Sequence, residues 1–92
     1  MVVSGQVTIP TGGGPIQLST VGTLVRFIAF QNNAAGAMFV GGPNASATVG
    51  YGLSATGGTL VLQGGGSAYF ASLSEFWVFG TAAQVLNYVY VT

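Results

Sequence analysis

Apolar and polar residues alternate along this chain in short segments, which glycine, proline and asparagine separate. No segment keeps the i, i+3, i+4 spacing of a helix for two turns. The segments are instead rich in Val, Ile, Thr, Phe and Tyr, which fit a pleated strand. The pattern predicts about eight short strands. They span Val2–Ile9, Ile16–Ser19, Thr23–Gln31, Ala37–Gly41, Gly50–Ser54, Thr59–Gln63, Glu75–Phe79 and Val85–Val91.

Turn signals between the strands indicate how the strands are arranged. The 16 Gly and three Pro cut the chain into short pieces, and glycine and asparagine supply the backbone conformations that tight turns need. Gly41, Gly42, Asn44 and Gly50 form the predicted structural turn motif. Short strands at this spacing are typical of an all-β fold. We therefore predict an antiparallel, jelly-roll-like β-sandwich, with residues 1–92 as one domain.

Alternation within the longest predicted strand places apolar residues on both faces. One face holds Val25, Phe27 and Ala29, and the other holds Leu24, Arg26, Ile28 and Phe30. We expect this strand to be covered on both sides, and we expect the core to include Val25, Phe27, Leu60 and Val78.

The last strands add aromatic residues to the predicted surface. In the final strand Val85, Asn87, Val89 and Val91 share one face, and Leu86, Tyr88 and Tyr90 share the other. The outward positions carry Tyr, Phe, Thr and Gln where a solvated sheet would carry Lys and Glu, which suggests that protein lies outside. The candidates for interface aromatics are Trp77, Phe79, Tyr88 and Tyr90.

Charge is almost missing from the chain, and this changes the functional picture. Arg26 and Glu75 are the two charged residues among 92, and the chain is 50% hydrophobic and formally neutral. Ordinary soluble domains are about a quarter charged, which keeps their copies apart. We therefore expect a fixed place in an assembly. Neutrality argues against nucleic acid, and no apolar stretch approaches the ~18 residues of a spanning helix, so no membrane partner is expected.

The residue inventory argues against an enzyme. The chain has no His and no Cys, and Glu75 alone cannot form a carboxylate pair or a metal-ligand cluster. The triplets Gly12–Gly14 and Gly64–Gly66 lack the lysine of a phosphate-binding loop. We expect no catalytic residues, no metal site and no cofactor. Arg26 and Glu75 are candidates for an ion pair, with each other or with a neighbouring chain; the alternative is two unrelated charges at the rim.

One long segment carries a family resemblance. Phe39–Leu53 reads FVGGPNASATVGYGL and resembles a segment of small virion proteins of tailed bacteriophages, in which two glycines, a short polar turn and glycine-tyrosine follow one another. Gly52 departs from that pattern, which has a proline there, and Ala83-Gln84 stands where an acidic residue is usual. The other segments that agree, in order, are Val7–Pro10, Gln17–Ser19, Arg26–Gln31 and Phe76–Ala82.

The resemblance implies a structural role. Such proteins are similar to capsid decoration or cement proteins, β-sandwiches that bind the outer shell and stabilise contacts between neighbouring capsomers. The implied partners are the major capsid protein or other virion proteins, the implied location is the capsid surface of the virion, and the charge-poor surface favours a homo-oligomer, dimer or trimer. The alternatives are a head-fibre or tail-fibre component that binds a host receptor or carbohydrate, and a self-assembling fibril subunit.

Overall fold

The computed structural model describes residues 1–65 and 68–92, and within these residues the chain is all-β, with 47% of residues in strands. A single-turn 3-10 helix, Leu73–Glu75, accompanies them. The described strands are β1 (Val2–Thr8), β2 (Ile16–Gln17), β3 (Leu24–Val25), β4 (Phe27–Asn32), β5 (Met38–Gly41), β6 (Tyr51–Leu53), β7 (Gly58–Gln63), β8 (Ala71–Ser72), β9 (Trp77–Phe79) and β10 (Val85–Val91).

The described strands form two four-stranded antiparallel sheets and one small pair. The first sheet has the order β1-β10-β4-β7, the second has the order β2-β9-β5-β6, and β3 pairs with β8. Each strand of the first half pairs with its counterpart in the second half, as in one long hairpin whose tip joins β5 to β6. Folding such a hairpin over itself gives the double-sheet jelly roll. The predicted antiparallel β-sandwich is confirmed.

A β-bulge at Arg26 divides the strand that the sequence predicts as continuous over Thr23–Gln31. The N–H of Arg26 donates to the carbonyl of Val91 at 2.8 Å, while Phe27 is the residue in register with Val91. Two residues therefore oppose one, which shifts the alternation by one position. Val25 and Ile28 both face the core as a result, so the predicted assignment of faces is wrong beyond the bulge.

The core lies between the two sheets. Val25 and Val78 are buried as predicted, whereas Leu60 is partly buried against the core and Phe27 lies on the outer face of its sheet. Phe30 meets the ring of Phe76 edge to face, with 5.6 Å between the ring centres, a favoured aromatic geometry. The buried apolar cluster consists of Ile9, Leu18, Val25, Ile28, Phe30, Met38, Val40, Leu53, Leu73, Val78 and Leu86.

Asn32 is a fully buried polar residue at the end of β4. Its Nδ2 donates to the carbonyls of Gly36 at 2.9 Å, Leu53 at 3.0 Å and Ser54 at 3.2 Å. Its Oδ1 accepts from the N–H of Ala34 at 2.9 Å. The side chain thus joins β4, the following turn and β6, and its polar atoms are satisfied as buried groups must be.

The 3-10 helix changes the start of one predicted strand. Ser72 and Glu75 form a capping box: the N–H of Ser72 donates to Oε2 of Glu75 at 2.6 Å, and Oγ of Ser72 accepts from the N–H of Ser74 at 3.4 Å. Reciprocal caps of this kind satisfy the free donors at the start of a helix. The strand predicted over Glu75–Phe79 therefore begins at Trp77.

Candidate functional site

The outer face of the first sheet carries uncharged residues on all four of its strands. Alternation and register place three cross-strand rows on it, and we call it the valine–amide face. Its rows are Val2, Val91, Phe27 and Gln63; Ser4, Val89, Ala29 and Val61; and Gln6, Asn87, Gln31 and Thr59.

The valine–amide face is a shallow depression. Members of its second and third rows line a hollow of about 810 Å³. Val2 is 69% exposed and Val61 is 53% exposed at opposite edges of the face. None of the twelve residues that define the face is charged. A face of this kind attracts apolar or uncharged polar partners rather than ionic ones.

Amide side chains run across the third row of the valine–amide face. Nε2 of Gln6 donates to Oδ1 of Asn87 at 2.8 Å, and Nδ2 of Asn33, just beyond the face, donates to Oε1 of Gln31 at 3.3 Å. An amide group carries both donors and an acceptor. The row can therefore bond uncharged hydroxyl or amide groups of a partner in either sense.

Most of the valine–amide face was missed from the sequence. The bulge at Arg26 shifts the alternation in β4, so simple alternation along the sequence wrongly groups Ala29 with the buried Val25. A usable signal existed in β1, where Ser4 and Gln6 alternate with the apolar Val3 and Val7. Alternation of that kind marks one wet face.

The outer face of the second sheet is aromatic. Trp77 and Phe79 lie on it together, as predicted, because the residue between them, Val78, points into the core. Phe39 lies beside Phe79, with 6.3 Å between the ring centres and 54° between the planes. We call Phe39, Trp77 and Phe79 the aromatic face. All three are half-buried, so part of each ring is available to a partner.

Tyr88 and Tyr90 do not lie on an outer face, and the prediction that they point outward is wrong. They are on the same side of β10 as the buried Leu86 and pack against the core. Their rings stack at 6.1 Å with 15° between the planes. Burial, and secondarily the neighbouring Tyr90, raise the pKa of Tyr88. The ring of Tyr88 also lies over Gly5, and a Cβ atom on Gly5 would be 2.6 Å from its Cζ.

The two charged residues lie outside both outer faces. Arg26 borders the valine–amide face at the bulge, where its guanidinium carbon is 4.0 Å from the centre of the Tyr69 ring, a cation–π distance. Glu75 is exposed and caps the 3-10 helix. These contacts do not bear on an ion pair between Arg26 and Glu75, which stays a prediction.

The turn motif lies at the tip of the long hairpin. The N–H of Ala45 donates to the carbonyl of Gly42 at 3.0 Å across Pro43 and Asn44. Gly50 has φ of +119°, and a Cβ there would be 3.0 Å from the carbonyl oxygen of Val40. Glycine is therefore required at position 50 for both conformation and space. Of the predicted turn residues, Gly41 ends β5, Gly42 and Asn44 lie in the turn that follows, and Gly50 directly precedes β6.

Comparison with models of protein families, with curated proteins and with solved structures gives no match in any of the three. The resemblance to phage virion proteins therefore stays a hypothesis. Among residues 1–65 and 68–92, no group of three or more His, Cys, Asp or Glu side chains is placed to hold a metal ion. The same part of the chain has no helix with the length and apolar character needed to cross a bilayer.

Proposed function

We propose that this protein is a structural virion protein that decorates a capsid, binding the outer shell and neighbouring capsomers through its valine–amide face. The observation that carries the proposal is the lack of charge on this broad face, together with the exposure of Val2 and Val61. Cores of protein interfaces are depleted of charged residues. A permanent contact through such a face is favoured by apolar burial, at about 25 cal/mol per Å².

The size of the face supports attachment at many repeated sites. Four strands about 4.8 Å apart, with about six residues at 3.4 Å each, cover roughly 400 Å² in projection. Standard interfaces bury about 800 Å² on each partner. We therefore expect neighbouring loops or a second copy to add contacts, and repetition over a symmetric shell to add avidity.

The fold supports the proposal without deciding it. Jelly rolls occur in viral capsid proteins and in lectins, and one fold hosts many functions. The charge distribution is what favours shell binding over free lectin activity, because a free protein with net charge near zero and an apolar face tends to associate.

The test uses capsid shells from particles that lack this chain. Purified protein is added over a salt series, and bound protein is measured by gel densitometry while the shells are melted. We expect binding to raise the shell melting temperature and to change little between low and high salt, since salt does not screen apolar burial. A protein that washes off at moderate salt would show that the contact is electrostatic.

A matched pair of lysine substitutions locates the contact. Val61→Lys places a charge on the valine–amide face, whereas Val49→Lys places the same charge on the loop between β5 and β6, where Val49 is also exposed. We expect Val61→Lys to lower shell affinity at least tenfold and Val49→Lys to bind like the wild type. Equal binding by both variants would exclude the valine–amide face as the contact.

A second candidate is a head-fibre or tail-fibre component that binds a receptor or carbohydrate. The aromatic face favours it, because Trp77 and Phe79 can stack on the apolar side of a sugar ring. Trp77→Ala should then abolish binding to host cell-surface glycan and leave shell binding intact. Loss of shell binding with unchanged glycan binding would reject this candidate.

A further inference from the structure

β1 forms an edge of the first sheet, and no described strand lies along its outer side. The hydrogen bonds at its two ends show which backbone groups are used inside the sheet. Met1 and Thr92 exchange both bonds, at 3.4 and 3.0 Å, and the N–H of Ile9 donates to the carbonyl of Gln84 at 2.8 Å. In an antiparallel pair such hydrogen-bonded positions alternate with positions whose groups point away. The outward positions of β1 are therefore Val2, Ser4, Gln6 and Thr8.

This edge lacks the features that usually prevent edge-to-edge pairing. Native edges are protected by Lys, Pro, bulges or short length. β1 is seven residues long, pairs with β10 without a bulge, and contains neither charge nor proline. The opposite edge of the sheet is better covered, because Gly58 at one end of β7 packs against Ser54 and Gly64 just past its other end packs against Ala68.

We propose that β1 pairs antiparallel with β1 of a second copy of this chain, around a two-fold axis at Gly5, to give one continuous eight-stranded sheet. In this register Ser4 lies opposite the partner's Gln6, and Val2 lies opposite the partner's Thr8. Every outward N–H and C=O of the four outward positions then has a partner. The pairing goes beyond the proposed function and does not depend on it.

The sequence of β1 favours a second copy over a strand of another protein. Reversal around Gly5 matches Ser4 with Gln6 and Val3 with Val7, so the valine–amide face continues across the joined sheet on one side and the apolar core-facing residues continue on the other. The formal charge of the chain is zero, so two copies do not repel. The joined sheet also carries two valine–amide faces side by side, which doubles the surface offered to a partner.

Gly5 suits a two-fold axis. On the axis the two strands form a non-hydrogen-bonded pair, where Cα atoms approach to about 4.5 Å. Gly5 has no side chain, and the ring of Tyr88 fills the space above it. The two Tyr88 rings of a dimer would therefore flank the axis on the inner side and cover the two glycines.

The first test removes one outward donor. Ser4→Pro deletes an N–H that points away from β10. An edge strand tolerates proline at such a position, so the hydrogen bonds within the chain remain. The matched control is Val61→Pro in β7. The bond from the N–H of Gly64 to the carbonyl of Arg26, at 3.1 Å, marks Val61 as an outward position of the other edge. Sedimentation equilibrium then gives the dimer dissociation constants, and circular dichroism checks the fold.

We expect a wild-type dimer, at least tenfold weaker dimerisation for Ser4→Pro, and unchanged dimerisation for Val61→Pro. A monomeric wild type, or a Ser4→Pro variant that dimerises like the wild type, would overturn the proposal. Shell binding by Ser4→Pro is measured separately. A monomer that still binds shells would separate this pairing from the proposed function.

The second test reads the register, using the fact that the chain has no cysteine. Ser4 and the partner's Gln6 have Cα atoms about 5.5 Å apart in the proposed pair, within disulfide range. Ser4 and the partner's Ser4 are about 9 Å apart, beyond that range. A mixture of Ser4→Cys and Gln6→Cys proteins should cross-link at least tenfold faster than either protein alone. Equal rates would overturn the register.

Discussion

The buried amide of Asn32 makes a sharp test of what holds the sandwich together. Asn32→Asp keeps the shape of the side chain but replaces its NH₂ donor group with oxygen. That oxygen would face the carbonyls of Gly36, Leu53 and Ser54 at 2.9–3.2 Å. Burial without a cation disfavours the ionised form, so the pKa of the new carboxyl is raised in the folded state.

The sign and size of the effect follow from that raised pKa. Below the unfolded pKa of about 3.9 the carboxyl is protonated in both the folded and the unfolded state, so its ionisation costs no stability. Above that pH the unfolded chain ionises and the folded chain does not, so the free energy of unfolding falls as pH rises. Full burial raises a carboxyl pKa by up to about 3–5 units, and each unit costs about 1.4 kcal/mol, so the loss from pH 4 to pH 7 is up to about 4 kcal/mol. The missing hydrogen bonds add about 1–2 kcal/mol at every pH. The total free energy of unfolding of a domain of this size is about 5–14 kcal/mol.

Urea unfolding followed by the fluorescence of the single tryptophan, Trp77, measures the free energy of unfolding between pH 3 and 7. The control is Asn33→Asp, which makes the same charge change at an exposed position and should cost under about 0.5 kcal/mol. A difference between Asn32→Asp and wild type that stays flat with pH, or stays below about 1 kcal/mol at pH 7, would refute the argument.

Two further predictions concern Tyr88 and Gly50. Burial and the neighbouring Tyr90 raise the pKa of Tyr88, so the free energy of unfolding should fall as pH rises above the unfolded tyrosine pKa of about 10. Tyr88→Phe should reduce this alkaline loss of stability, as measured by urea titrations. An unchanged loss would contradict the prediction. Gly50→Ala should lower stability by about 1–3 kcal/mol, because φ is +119° and Val40 blocks a Cβ. Gly12→Ala, in open space, is its control, and equal melting temperatures would reject the assignment.

The sandwich itself could be predicted from the sequence because strand composition and glycine spacing are local signals. For five strands, both the first and the last residue lie within one position of the predicted ones. For example, β7 spans Gly58–Gln63 and the predicted strand spans Thr59–Gln63. The bulge at Arg26 could not be predicted, because the register that creates it is set by Val91, which is 65 positions later in the chain. β8 is two residues long, too short to leave a periodic signal.

The candidate faces show the same division. Trp77 and Phe79 were placed together correctly because two residues at i and i+2 in any strand share a face. Whether such a face points inward depends on the packing against the other sheet. Tyr88 and Tyr90 point inward because they lie on the same side of β10 as Leu86, which is buried between the sheets. Alternation defines two sets of residues, and tertiary packing decides which set is outside.

The chemistry of the proposed partner follows from the same lack of charge. A charged side chain pressed against the valine–amide face would lose its water and find no opposite charge there, which is costly. The amide row of Gln6, Asn87 and Gln31 offers uncharged donors and acceptors in its place. The shell surface beneath this face should therefore be apolar with hydroxyl or amide groups, and its own Lys, Arg, Asp and Glu should lie at the rim, where water still reaches them. Under the proposed function, a shell of ordinary charge would bind the protein only at such a depleted patch, and this would restrict where on a capsid the protein could attach.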